Sequence, residues 1–311
     1  MARVRVLDIR ERQPGRAAAD AAHELASRLP RLVLESRRVA ASLAHGIHGR
    51  RRAGPGESFW QFRPFVTGEP ASRIDWRRSA RDDRLYVRER EWEAAHSVHF
   101  WIDRSPSMGF ASELALAPKV DRALVLGFAL ADAFVEAGER VGLLGALHPR
   151  ASRRIVELFA QALATDAKGL VSDLPPEASL ALLDEAVIIS DFLTPLASLR
   201  TSVEGLSQRG ARGHLVMIVD PVEETFPFSG QATLEDVEDG ARLRIGDAAS
   251  WGADYRMRIA AHREGVSEIA RRRGWTLTIH RTDRPASEAA LRVVSLVQAA
   301  RAGGALARAE G

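Results

Sequence analysis

The stretch "FWIDRSPSMGF", residues 100–110, decides how this chain is read: an apolar run ends in an aspartate, and two serines follow at alternate positions, as Asp103, Ser105 and Ser107. The run itself, "SVHFWID" at 97–103, has the length and composition of a buried strand. Four further segments of the same kind follow, "RVGLLGAL" at 140–147, "AVIISD" at 186–191, "GHLVMIVD" at 213–220 and "WTLTIH" at 275–280. Between the first two, Val120, Leu124, Phe128, Ala131, Phe134 and Val135 recur at helical spacing. A second stripe, Leu196, Leu199, Val203 and Leu206, stops before Gly210, and a third, Tyr255, Ile259, His262, Val266 and Ile269, stops before Gly274. These stripes read as core faces, with His262 as a half-buried packing residue.

Apolar strands alternating with amphipathic helices predict a doubly wound α/β fold around a mostly parallel sheet covered on both faces. The segment "GQATLEDVEDGARLRIG" breaks the rhythm with two short alternating runs around "EDGA", which predicts a β-hairpin insertion near 227–247. Upstream, residues 1–45 read as a helical segment. Residues 46–95 form an arginine-rich, β-containing region with an irregular "HGIHGRRRAGPGESFWQFRPF" and a strand-like "RLYVREREW", and the main domain is expected over 96–300.

Composition narrows the function classes. The chain has 311 residues, 46% hydrophobic and 27% charged, as expected of a globular protein with a sizeable core. It has no cysteine, which excludes a disulfide framework, a thiolate metal site and a cysteine nucleophile. The longest apolar run, "ALVLGFALADAFV", is too short to span a bilayer and is interrupted by Asp132, and the N-terminus lacks an apolar signal core. No membrane segment and a cytoplasmic location are therefore expected. The net charge is +3, and Lys119 and Lys168 are the only lysines in an otherwise arginine-based positive side. Residues 36–90 hold 13 Arg against six acidic residues, a segment suited to an acidic partner, a nucleic acid or an ion-paired surface.

In an open parallel sheet, ligands sit beyond the carboxyl ends of the strands where the strand order reverses. With a short edge strand in "PRASRR" and a spatial order of three, two, one, four, five, six, "AVIISD" lies beside "SVHFWID". Asp103 and Asp191 then open onto the same switch point. Asp, Ser and Ser at alternate positions present hard oxygens that suit Mg²⁺ or Mn²⁺, completed by water and an outside carboxylate. The same residue types also cap turns and helices, so a metal site and a capped turn both remain open at this point.

Other motifs point elsewhere less well. The "GPG" at 54–56 lacks a following Gly-Lys-Ser/Thr, His96 and His99 lack zincin spacing, and nothing resembles Gly-x-Ser-x-Gly. Arg271, Arg272 and Arg273 fall in a last helical turn, where cations oppose the helix dipole. In "SRIDWRRSAR", Arg73, Asp75, Arg77, Arg78 and Arg81 are candidates for docking a partner, while Trp76 reads as packing beneath the main domain.

The pattern "DRSPSM" resembles the Asp-x-Ser-x-Ser metal-ion-dependent adhesion motif of von Willebrand factor A domains, and "IISD" resembles the strand carrying their later aspartate. The upstream block "GIHGRRRAGPGESFWQFRPFVTGEPASRIDWRRSARDDRLYVREREWE" is similar to the signature of the bacterial domain-of-unknown-function family 58, the MoxR-associated von Willebrand factor A-like proteins. The resemblance implies a von Willebrand factor A-like core, a metal held by Asp103, Ser105, Ser107 and Asp191, and a MoxR-type AAA+ ATPase as partner. It also implies chaperone-like maturation of an unidentified client protein rather than an enzymatic activity. Two departures stand out: the family's Gly-Asp is here Gly68 and Glu69, and the motif's middle threonine has no clear counterpart, Thr165 falling in the right interval without its context. The leading expectation is thus a non-enzymatic, metal-dependent protein-interaction module. A Mg²⁺-dependent phosphohydrolase and nucleic-acid binding through the arginine-rich segment stand behind it, each from a different class.

Overall fold

The computed structural model describes residues 14–48, 59–66, 70–81, 84–90, 96–166, 168–182, 184–235 and 242–309. The chain divides into two compact units, one of residues 1–47 with 96–311 and one of residues 48–95.

In chain order, the first element is helix α1 (Pro14–His48). The smaller unit follows, with β1 (Phe59–Pro64), a short α2 (Trp76–Ser79) and β2 (Tyr86–Arg90). Here β1 pairs antiparallel with β2 across a bulge between Phe59 and Gln61. The strand β1 lies inside a stretch read from sequence as irregular; its short alternation, Trp60 to Arg63, follows a glycine- and arginine-rich approach that masks it. Ile74 and Val87, buried and bridged to each other, form the apolar centre of this unit.

The larger unit continues with β3 (Ser97–Ile102), α3 (Lys119–Glu136), β4 (Arg140–Leu143), β5 (Leu147–Arg150), α4 (Ile155–Thr165), β6 (Glu185–Ser190), α5 (Leu196–Leu206), β7 (Arg212–Val219) and α6 (Pro221–Thr225). Then come β8 (Ala232–Glu235), β9 (Arg242–Ile245), α7 (Gly252–Arg272), β10 (Thr276–Arg281) and α8 (Ala286–Ala309). Six strands form one sheet in the order β10-β7-β6-β3-β4-β5. All neighbours are parallel except β5, which turns back antiparallel on β4. The segment read as a single strand, 140–147, is thus split. Gly145, at φ +74°, makes the reversal in a left-handed conformation that residues with a side chain rarely adopt.

Alternation along the parallel strands builds two cores. Phe100, Ile102, Val187, Ile189, Val216 and Ile218 face α1, α3, α4 and α8, whereas Trp101, Ile188, Leu215 and Met217 face α5 and α7. The architecture is α/β with a mostly parallel sheet and helices on both sides. The expected hairpin is present as β8 paired antiparallel with β9, its strands resting on a small cluster of Phe226, Ile245 and Ala248; the "EDGA" turn lies outside the described residues. Among the described residues, no helix is long and apolar enough to cross a membrane.

Candidate functional site

Strands β3 and β6 are neighbours, with Ile102 opposite Ile189, so the chain leaves both at the same edge. The Asp103 N–H still donates to the Ile189 carbonyl at 2.9 Å, which carries the pairing one residue past the strand. Asp103 therefore sits beside Ser190, whose Oγ donates to Asp103 Oδ2 at 2.6 Å. The other carboxylate oxygen accepts the N–H of Ser105 at 2.8 Å. Arg104 turns to the opposite side, donating to the Leu163 carbonyl and to Asp166, and this buried anchor fixes the path of the loop.

The next residues form a 3-10 turn, Pro106–Gly109, pinned by the fully buried Met108. Ser105 occupies the N-cap position of that turn, yet its side chain makes no cap bond. Its hydroxyl lies instead 3.2 Å from the Ser107 hydroxyl. Asp103 thus bonds a local N–H, as a capping aspartate would, while the two serine hydroxyls lie against each other.

Asp191 follows β6 and is buried, like Asp103 and Ser105. One of its oxygens accepts the Leu193 N–H at 3.1 Å. Between the two residues, Phe192 adopts a left-handed conformation at φ 52°, a strain of about 1–3 kcal/mol for a bulky residue. Three contacts hold it: its ring is buried in the α5/α7 core, its N–H donates to Ser190 Oγ at 2.9 Å, and its carbonyl accepts from His262 Nε2 at 2.6 Å. His262 is thus half-buried, as expected, and it also clamps the turn that presents Asp191.

The second Asp191 oxygen accepts from Lys119 Nζ at 2.8 Å, and the same ammonium donates to Glu223 Oε1 at 2.6 Å. Lys119 is 1% exposed and stands in the first turn of α3, where the helix dipole disfavours a cation. The acid pair supplies the opposing attraction. Glu223 reaches this position through α6, whose capping box has the Asp220 N–H donating to Glu223 Oε2 and the Val222 N–H donating to Asp220 Oδ1, both at 2.9 Å.

Charge in this cluster is unevenly balanced. Burial, reinforced by the Asp191 charge, pushes the Asp103 carboxyl up to about 6 despite its bonds from Ser190 and Ser105. Burial also works against Asp191, but the Lys119 ammonium, the Leu193 N–H and the Ser107 hydroxyl outweigh it and hold Asp191 below its ordinary range. For Lys119 the burial penalty is likewise overcome, here by Asp191 and Glu223, and its pKa lies above the lysine range. Glu223 is raised, burial prevailing over Lys119. Two carboxylates, Asp191 and Glu223, thus bracket one ammonium, whereas Asp103 is held by hydrogen bonds from Ser190 and Ser105.

The four residues predicted from the motif are therefore brought together, and Ser190, Lys119 and Glu223 join them. Each had a signal: Ser190 stands within "IISD", Lys119 is one of two lysines where arginine is the rule, and "DPVE" carries the capping-box spacing. Thr165 does not join the site; its hydroxyl donates to the Gln161 and Ala162 carbonyls of its own helix. Gly68 and Glu69 lie outside the described residues. The donor set fits a hard divalent ion in one respect and limits it in another. The paired hydroxyls and the buried Asp103 carboxylate suit such an ion, but among the described residues no three acidic or histidine side chains converge on a point. A bound ion would rest chiefly on the serine hydroxyls.

In the smaller unit, Asp75 N-caps α2 by accepting the Arg78 N–H at 2.9 Å, so its carboxylate is spent on structure. The Arg78 guanidinium lies 4.6 Å from the Tyr86 ring centre. Arg77 and Arg81 are exposed, and Arg73 belongs to a 3-10 turn, Ala71–Arg73. Trp76, expected beneath the main domain, is 63% exposed instead. The correction has a local cause: Ser79 Oγ bonds the Asp75 carbonyl and receives the Tyr86 N–H, locking α2 onto β2 with the Trp76 position facing outward.

Over 282 residues, 84% of this chain and 86% of each relative, the sequence is 28% identical to the uncharacterized protein Rv1480 of Mycobacterium tuberculosis and to the uncharacterized protein Mb1516 of Mycobacterium bovis. No solved structure matches it. Residues 61–265, which take in β3, β6 and all the residues of the cluster just described, match the family named as protein of unknown function DUF58, and the chain belongs to that family.

Proposed function

We propose that this protein is a non-enzymatic interaction module of von Willebrand factor A-like type, which binds a partner protein through a divalent ion at the carboxyl edge of its sheet. The observation that carries this reading is the Ser105–Ser107 hydroxyl pair, 3.2 Å apart and unspent on capping, beside the buried Asp103 and Asp191 at the switch point between β3 and β6. Mg²⁺ or Mn²⁺ would be held by Ser105 and Ser107, with Asp103 and Asp191 supplying the negative field. Such an ion supplies Lewis acidity that a partner's carboxylate can satisfy. The rest falls to the chain's own residues: Arg104 and Met108 fix the loop, and Phe192 with His262 fixes the later aspartate.

Calorimetric titration of Mg²⁺ and Mn²⁺ into metal-free protein tests this directly. Saturable binding is expected in the wild type and lost in Asp103→Ala; heats that are the same in both proteins would remove the ion from the mechanism.

In the cytoplasm, the partner is a MoxR-type AAA+ ATPase, with which the protein acts in chaperone-like maturation of a client. The exposed Trp76 flanked by Arg77 and Arg81 supports a docking face for an acidic surface on that ATPase, since tryptophan and arginine dominate interface hot spots. Trp76→Ala is expected to weaken the pairwise affinity roughly tenfold or more and to leave the unfolding midpoint unchanged, because the side chain is largely in solvent. Unaltered affinity in a pull-down calibrated by surface plasmon resonance would move the docking face elsewhere.

A further inference from the structure

Lys119 has an unusual setting for a cation in this protein. The chain carries 44 Lys and Arg residues, only two of them lysine, and Lys119 is the one sealed from solvent between Asp191 and Glu223, at 2.8 and 2.6 Å. An ammonium is a compact point charge on a thin stem, and so it fits where a planar guanidinium with five donors would leave donors unpaired. Its position also matters to the serine pair, because Asp191 is shared: one oxygen takes Lys119, and the Ser107 hydroxyl helps hold the same carboxylate.

Resting on the metal reading above, we propose that Lys119 is the affinity-determining residue of the ion site, a built-in cation that competes with the divalent ion for the field of Asp191 and Glu223. The ammonium offsets the charge of the two carboxylates it touches, Asp191 and Glu223, and so weakens the field that a divalent ion would meet beside Asp191. Without the ammonium, the same ion enters a more negative field and is held more tightly. Lys119 therefore keeps the ion weakly bound.

The test is calorimetric titration of Mn²⁺ into metal-free wild type, Asp103→Ala and Lys119→Gln, each verified as folded by circular dichroism. Lys119→Gln keeps a donor for Asp191 or Glu223 but loses the charge, and it is expected to bind Mn²⁺ roughly tenfold or more tightly than the wild type. Equal or weaker binding by Lys119→Gln, with saturable binding in the wild type, overturns the inference alone. No saturable binding in either protein removes the metal reading itself, and the inference with it.

A measurement on the unaltered protein covers the case in which Lys119→Gln does not fold. With lysine labelled by ¹⁵N, only Lys119 and Lys168 contribute side-chain ammonium signals. Saturating Mg²⁺ is expected to shift the slowly exchanging Lys119 signal and leave Lys168 in place. A Lys119 signal that stays fixed while Mg²⁺ binds would refute competition between the two cations.

Discussion

Lys119→Met lowers the unfolding free energy by about 3–5 kcal/mol at neutral pH, the range for breaking one side of a buried ion pair. The methionine fills most of the space of the lysine stem, so the loss is electrostatic rather than steric. Asp191 and Glu223, 5% exposed and largely buried respectively, are left facing each other without a counter-charge. Glu223→Gln introduced together with Lys119→Met is then expected to recover a substantial part of the loss, because it removes one of the stranded charges while preserving the capping bond to the Asp220 N–H. Urea denaturation of the four proteins of this double-mutant cycle measures the coupling. A loss below about 1 kcal/mol for Lys119→Met, in the range of a solvated pair, would mean that the ammonium does not carry the cluster.

Asp103→Asn has the opposite sign. The Asp103 carboxyl is raised from its ordinary 3.8 to about 6 by burial and by the charge of Asp191. A carboxyl raised on folding contributes stability that is fully present below its unfolded value and is lost as the pH rises through its folded value. At about 1.4 kcal/mol for each pH unit, the ionised carboxylate opposes folding by about 3 kcal/mol above pH 6 in the metal-free protein. The asparagine variant lacks that penalty, and its amide can still accept the Ser105 N–H. It should therefore exceed the metal-free wild type in stability by about 3 kcal/mol at pH 7.5, with the gap closing towards pH 4. The difference between the two proteins is the quantity to follow, since His214 and His280, both lowered to about 4 by burial, titrate in each and cancel. A gap that is constant with pH, or an Asp103→Asn protein less stable throughout, would refute the assignment.

Much of this was legible in the residues. Each segment read as a strand is matched by one or more strands, and the helical stripes correspond to α3, α5 and α7. Periodicity is a local property: a run of Val, Ile and Leu, or a stripe every third and fourth residue, is decided by which neighbours along the chain share a face. Asp103 and Asp191 were likewise legible, since each directly follows an apolar strand and the carboxyl ends of a parallel sheet lie on one edge. The weak points were also local in origin. The alternation of β1 covers only Trp60 to Arg63 behind a glycine- and arginine-rich approach, and Trp76 looks apolar in any sequence window although Asp75 and Ser79 lock its turn with the ring outward.

By itself, then, the sequence determined the alternation of strands and helices, the place of the Asp-x-Ser-x-Ser loop and the membership of two aspartates in one edge. Only the tertiary structure decided their partners. Lys119 meets Asp191 across 72 residues of chain and Glu223 across 104, and Ser190 meets Asp103 across 87. No spacing rule encodes such distances. They follow from the order in which the strands pair and from the burial of the side chains between them, where an ammonium or a carboxylate must find a counter-charge or a hydrogen bond.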